Sequence, residues 1–279
     1  MSRYVVDKEL ANAIVMLKAE FVKRHKGSSH IHEVIPASSE SLSIDEHELK
    51  LLHKFAESNS IYTDSYEMDI LGTVCKVYEG DVNNYWLDSI KHDTSYAPFY
   101  PIWILSAYAL ALESKNLGVK QIVDIGSGDG RIAYCAKVTG LQSYGIEIDE
   151  NLVGLENKIS SSTGVDFQPM VADATQFDFL SLGLSQPAFF ISGLPEVGEM
   201  LANSVITRIM SMSDLKVNPI FVFTGSHMMR KDSRDKSKWG WGQVIDHYDL
   251  EIVKTVTLPT YWTFDQQVDT PFIFTRSIV

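Results

Sequence analysis

The sequence holds only two cysteines in 279 residues, Cys75 and Cys135. They supply no disulfide framework and no thiolate metal cluster. Long apolar runs are missing too. The most apolar stretch, Ile102 to Leu112, is too short to cross a bilayer and reads as a buried helix. The opening Met-Ser-Arg-Tyr lacks the apolar core of a secretory signal, so the expectation is a soluble, cytoplasmic protein without membrane contact. Positive charge is scarce: 24 Lys and Arg against 36 Asp and Glu leave a formal net charge of −12. Such a chain is not built to coat nucleic acid, because neutralising phosphates takes an excess of lysine and arginine. A local basic patch remains compatible with that balance. What is present is an ordinary packed composition, 45% hydrophobic and 11% aromatic, which excludes disorder throughout. The length suits one large domain, or a core domain with a smaller one.

The two halves differ in pattern. Val6 to Val22 carries apolar residues at helical spacing (Leu10, Ile14, Leu17, Phe21), and the basic run after it suits a helix C-terminus. A polar, serine-rich connection follows, through Ser43. Ser43 with Glu46 fits a capping box that opens a helix running to about Ser58. Ile70 to Tyr78 fits a strand or a short helix. Residues 1–91 are expected to form a largely helical N-terminal extension, and residues 92–279 a second domain.

From Tyr96 onward strands alternate with helices, the mark of an α/β fold with a mostly parallel, doubly wound sheet. The strands are drawn at Gln121–Ile125, Gln142–Glu147, Asp166–Val171, Ala188–Ser192, Pro219–Thr224, Glu251–Leu258 and Pro271–Arg276. Helices are drawn at Arg131–Val138, Glu150–Ser160 and Glu196–Met212, with a short piece near Phe177–Leu182. The last two strands have no obvious helix between them and suggest an antiparallel closing hairpin.

The most informative run is Val123-Asp124-Ile125-Gly126-Ser127-Gly128-Asp129-Gly130. An apolar strand enters a turn with glycine at every second position, then a helix. Glycine serves where the backbone takes positive φ or lies bare against a ligand. The spacing differs from the Gly-x-Gly-x-x-Gly of pyrophosphate-binding folds. The next strand ends at Glu147, an acceptor-only carboxylate able to take both hydroxyls of a ribose. Together these features read as a nucleoside site without a phosphate.

These residues resemble the class I, seven-β-strand S-adenosylmethionine-dependent methyltransferases, over Tyr96 to Val279. The resemblance implies a Rossmann-like seven-stranded sheet and S-adenosylmethionine as cofactor. It places Ile125, Gly126, Ser127, Gly128 and Gly130 along the methionine part of that cofactor, with Asp124 orienting the loop or holding the ammonium through water. Glu147, with Ile148 beside it, would hold the ribose, with Asp149 as the alternative. Asp173 and Ala174 would meet the adenine, although Asp173 also fits a helix cap. Tyr96 and Ser192 would complete the pocket; aromatic packing explains Tyr96 and Tyr100 equally well.

The fourth strand ends in Ser192-Gly193-Leu194-Pro195-Glu196. Methyltransferases of nucleobase amines usually carry Asn or Asp where Gly193 stands and an aromatic where Glu196 stands, so that reading is weakened. Tyr96-Ala97-Pro98-Phe99-Tyr100-Pro101 and Leu194 to Leu201 are instead similar to the archaeal protein-lysine methyltransferases. That similarity implies a protein lysine as substrate, with RNA or a small molecule as the alternative. A non-catalytic cofactor-binding protein is a further reading.

Ser192, Leu194, Pro195, Glu196, Tyr261 and Trp262 are the candidates around the reacting amine, with no metal required. Trp262 also suits core packing. The basic loop 230–238 reads as a lid, a docking surface or a solvated excursion.

Overall fold

The computed structural model describes residues 3–25, 31–81, 101–191, 193, 195–212, 218–225, 241–261 and 269–277. Seven strands form the main sheet: β4 (Gln121–Ile125), β5 (Gln142–Glu147), β6 (Pro169–Val171), β7 (Pro187–Ile191), β8 (Ile220–Thr224), β9 (Leu250–Leu258) and β10 (Thr270–Ser277). Their spatial order is β6-β5-β4-β7-β8-β10-β9. Every neighbouring pair from β6 to β8 is parallel, and β10 runs antiparallel to both β8 and β9. The expected α/β sheet and closing hairpin are therefore present. The central strands β4 and β7 are buried along their whole length. Their sequences, QIVDI and PAFFI, are the near-continuous apolar runs that a sheet covered on both faces demands.

Each parallel crossover carries helical structure. In chain order the helices are α1 (Arg3–Arg24), α2 (Glu46–Ser58), α3 (Ile104–Asn116), α4 (Arg131–Val138), α5 (Glu150–Thr163), α6 (Pro195–Ser211) and α7 (Trp241–His247). Helix α3 is the buried apolar helix expected from Ile102 onward. Helix α7, between β8 and β9, is absent from the sequence reading, which treats Trp241-Gly242 as loop. Trp241 anchors it, stacking on Phe223 at 4.7 Å while its indole N–H donates to the Thr224 carbonyl at 2.8 Å. The third strand of the main sheet starts at Pro169 rather than Asp166. Gln168 takes a left-handed φ of 52°, and its amide bonds back to the Asp166 carboxylate at 3.2 Å.

The extension contains both helices expected of it, and also an antiparallel sheet the sequence reading lacks. That sheet comprises β1 (Ile31–Pro36), β2 (Tyr62–Ile70) and β3 (Thr73–Gly80), in the order β1-β3-β2. The serine-rich connection thus holds a fully buried strand. Ile70 to Tyr78 resolves as the end of β2, a two-residue turn and β3. Leu71 and Gly72 both take positive φ there, 56° and 79°, as a type I′ hairpin requires. Leucine at the first position hides the signal that Asn or Gly would give. The Ser43 capping box is corrected as well. Asp45 is the N-cap of α2, its carboxylate accepting from the His47 amide at 2.9 Å and the Glu48 amide at 3.2 Å.

Two apolar cores flank the main sheet. One joins Ile14, Phe21, Val34, Leu52 and Phe55 of the extension to α3, α4 and the sheet. The other joins β4, β5, β7 and β8 to α6 and α7. Among the described residues, no helix is long and apolar enough to cross a membrane.

Candidate functional site

Strand β4 has β5 on one side and β7, reached later in the chain, on the other. Such a reversal opens a crevice beyond the carboxyl ends of the parallel strands. Three of the predicted groups lie at those ends: Gly126 to Gly130 after β4, Glu147 and Ile148 at β5, and Asp173 and Ala174 after β6.

The loop after β4 turns on three glycines in the left-handed region, with φ of 70° at Gly126, 64° at Gly128 and 77° at Gly130. It leans on the neighbouring strand, since the Gly126 amide donates to the Ile146 carbonyl at 2.8 Å. Glu147 completes the fastening. One of its oxygens, Oε2, accepts from the Gly128 amide at 2.9 Å. The other, Oε1, accepts from Ile148 and Asp149 at 2.8 and 3.1 Å. A carboxylate has about four acceptor positions, so among the described residues one place on Oε2 is unfilled. Burial pushes the Glu147 carboxyl above its ordinary pKa, against the pull of these amides.

Asp149, the alternative ribose ligand, is buried and caps α5 by accepting from the Asn151 amide at 2.8 Å. Asp173 accepts from the amide and hydroxyl of Thr175 at 2.9 and 2.7 Å, a tight turn at the mouth of the crevice.

Asp124 is buried near the end of β4, close enough to the first turn of α4 for the Ala133 amide to draw its pKa down. A helix N-terminus is where a phosphate would otherwise bind, because its first amides lack partners in the helix. Here a carboxyl group stands beside those amides. Burial, with Glu147 and Asp129 nearby, pushes Asp124 up to about 8.

Below the loop lies a network absent from the sequence reading. Asp129 is fully buried and ion-paired to Arg131, whose Nε reaches Asp129 Oδ1 at 2.8 Å. Arg131 also donates to Glu33 Oε1 at 2.6 Å, to Tyr62 Oη at 3.2 Å and to the Ile102 carbonyl. Asn59, capping the end of α2, donates to Asp129 Oδ2 at 2.8 Å. Glu33 additionally accepts from the Ile104 amide at 2.7 Å. Burial pushes the Glu33 carboxyl upward despite Arg131, while Arg131 stays charged. Asp129 and Arg131 stand inside the glycine motif, but their partners are up to 98 residues away, and no local pattern announces them.

On the other side of the loop sits Glu156 of α5, completely buried. Neither of its oxygens, nor the Ser127 hydroxyl beside it, completes a hydrogen bond among the described residues. Burial, reinforced by Asp124, Glu147 and Asp129, raises its pKa well above the ordinary carboxylate value. Packing is close here: a Cβ on Gly130 would stand 2.5 Å from the Phe167 ring and 2.9 Å from Glu156 Oε1.

The remaining candidates are placed less fully. Pro195 and Glu196 begin α6, and Gly193 before them takes a φ of 96°. Tyr261 donates its amide to the Pro101 carbonyl at 3.1 Å, and its side chain packs on Ile31 and Ile61. Tyr96, Ser192, Leu194, Trp262 and the basic loop 230–238 lie outside the described residues.

No family model and no curated protein matches the chain. Solved structures resembling it include a tRNA (uracil-54, C5)-methyltransferase of Pyrococcus abyssi, bound to S-adenosyl-L-homocysteine, at 15% identity and a TM-score of 0.44. That match covers 62% of this chain but only 37% of the other. A ribosomal protein L11 methylase of Lactobacillus delbrueckii subsp. bulgaricus matches at 12% identity and a TM-score of 0.41, over 61% of this chain and 78% of that one. The magnesium protoporphyrin IX methyltransferase of Synechocystis PCC 6803 matches at 17% and 0.40, over 62% and 80%. The fold stands on the strand order and register given above.

Proposed function

We propose that the chain is an S-adenosylmethionine-dependent methyltransferase and that its acceptor is a protein lysine amine. One observation carries the cofactor half of this reading. The Asp124 carboxyl lies beside the helix end that would face a phosphate, and Glu147 ends the adjacent strand with an acceptor position unfilled among the described residues. Carboxyl groups on the floor of the crevice offer acceptors to ribose hydroxyls, whereas a pyrophosphate needs donors.

The residues fit S-adenosylmethionine. Gly126 and Gly128 leave bare main chain at its methionine end, Glu147 Oε2 takes a ribose hydroxyl, and the turn at Asp173 borders the adenine. The bound sulfonium supplies an already activated methyl carbon. The protein then needs chiefly to align the acceptor, and alignment alone can lower a barrier by ~7–11 kcal/mol. Leu194, Pro195 and Glu196, with Tyr261 and Trp262, are assigned to the acceptor channel. An apolar channel favours the neutral amine that must attack, against a free lysine pKa of about 10.4. Gly193 and Glu196 stand where a nucleobase enzyme needs an amide and a stacking ring, which favours lysine over a base.

Thermal unfolding with S-adenosylhomocysteine or with NAD tests the cofactor. Stabilisation by the first alone, lost in Gly128→Arg, is expected; stabilisation by NAD alone overturns the reading. Labelled S-adenosylmethionine with cell extract tests the acceptor. Label removed by protease supports lysine. Label removed by ribonuclease moves the acceptor to RNA, and binding without transfer leaves a non-catalytic cofactor-binding protein.

A further inference from the structure

We propose that His25, His32 and Glu79 form a binding site for a divalent transition metal, zinc above all. The site is separate from the glycine loop and plays no part in methyl transfer. His25 follows α1, its amide closing the last helical turn on the Phe21 carbonyl at 2.9 Å. His32 is the second residue of β1, and Glu79 stands directly opposite it on β3. One ligating atom from each residue lies within 4.8 Å of the other two.

The two imidazoles meet edge to face, with centroids 4.3 Å apart, and His32 Nε2 is 2.9 Å from Glu79 Oε1. Two ring nitrogens and a carboxylate are ligands that zinc accepts, with bonds of about 2.0–2.2 Å. Two ligands on a tetrahedral ion stand about 3.3 Å apart, so an opening of about 0.4 Å turns the observed contact into shared coordination.

The surroundings suit a bound ion. Phe21 lies nearly flat on His25 at 5.0 Å and edge-on to His32 at 5.5 Å, an apolar wall that limits water. The Tyr66 hydroxyl donates to Glu79 Oε1 at 3.4 Å, the kind of outer contact that orients a ligating carboxylate. Water would fill the fourth position. Successive strand residues face opposite ways, so His32 faces the metal site while Glu33 reaches Arg131 from the other face. A metal here would fasten the end of α1 to β1 and β3.

The test uses the whole 279-residue chain stripped of metal. Zinc titrated into it by calorimetry is expected to bind one ion per chain and to raise the thermal midpoint. Cobalt in its place should give the intense visible bands of a four-coordinate nitrogen and oxygen site. Glu79→Gln and His25→Ala should each weaken binding about tenfold or more. His47→Ala and His247→Ala, at exposed positions, should leave it unchanged. Binding that is absent, or equally tight in a folded His25→Ala/Glu79→Gln variant, overturns the proposal. Should that variant fail to fold, the cobalt spectrum of the unaltered protein decides alone, and octahedral-type bands overturn it.

Discussion

The two sides of the glycine loop bury the same kind of group and treat it in opposite ways. Toward the extension, Asp129 and Glu33 close on Arg131, and Tyr62 and Asn59 complete their hydrogen bonds. Toward α5, Glu156 is buried as deeply, with no cation and no completed hydrogen bond among the described residues. A buried carboxylate is tolerated when a guanidinium answers it; otherwise it keeps its proton. The first side is therefore a clamp that needs its charges. The second is a neutral wedge that works only while it stays uncharged.

Removing the cation should have the largest effect. Arg131→Leu leaves Asp129 and Glu33 buried beside each other without their partner, and breaking a buried pair in this way costs about 3–5 kcal/mol. Urea unfolding followed by circular dichroism measures the loss. A change under about 1 kcal/mol would mean that the clamp does not hold the fold. Gly130→Ala attacks the hinge between the sides. It combines a left-handed φ of 77° with a Cβ 2.5 Å from the Phe167 ring. Strain and overpacking together should cost roughly 2–4 kcal/mol, partly recovered by Phe167→Leu in the same chain.

The comparison also shows what a sequence can disclose. The main sheet is legible because its signals are local: QIVDI runs straight into glycines, and both Gln121–Ile125 and Gln142–Glu147 are found with their true ends. The loop, Glu147 and Asp173 fall out of the same strand ends. The clamp is not legible, since Glu33 and Asn59 meet Asp129 and Arg131 only through tertiary packing. The extension's sheet is hidden for a different reason. Its strand β1 follows a serine-rich segment, and its hairpin turns on Leu71 instead of a residue that announces φ > 0. Glu156 is hidden by its helix, where one glutamate among polar neighbours looks solvated.

Protonation separates the two sides of the loop as well. In the unfolded chain Glu156 loses its proton near the ordinary value of about 4.3, but in the folded protein only well above it. The folded state therefore holds an extra proton between those two values. Its contribution to stability is full below the ordinary pKa and drains away as pH rises toward the folded one. Asp124, pushed up to about 8, acts in the same direction from about 3.9 upward. Unfolding free energy should thus fall between about pH 4 and about pH 8. Glu156→Gln should shrink that fall while leaving Asp124's share in place. An unchanged pH profile in the variant would show that Glu156 is ionised after all, and the neutral-wedge side of the comparison would fail.

The gentlest change asks whether the clamp makes extension and loop unfold together. Asp45 caps α2, and the far end of that helix supplies Asn59, which holds Asp129. Asp45→Ala removes a cap that accepts two amides, at a cost of about 0.5–2 kcal/mol. The change lies outside the main sheet and far along the chain from the glycine motif. If the clamp joins the parts, intrinsic fluorescence and circular dichroism will report one transition, shifted as a whole to lower urea. Separate transitions, with only the early one shifted, would mean that the extension unfolds from the sheet independently. Asp129 and Glu33 would then lose their partners before the main sheet melts, and the clamp would be a local contact with no hold on the cofactor crevice.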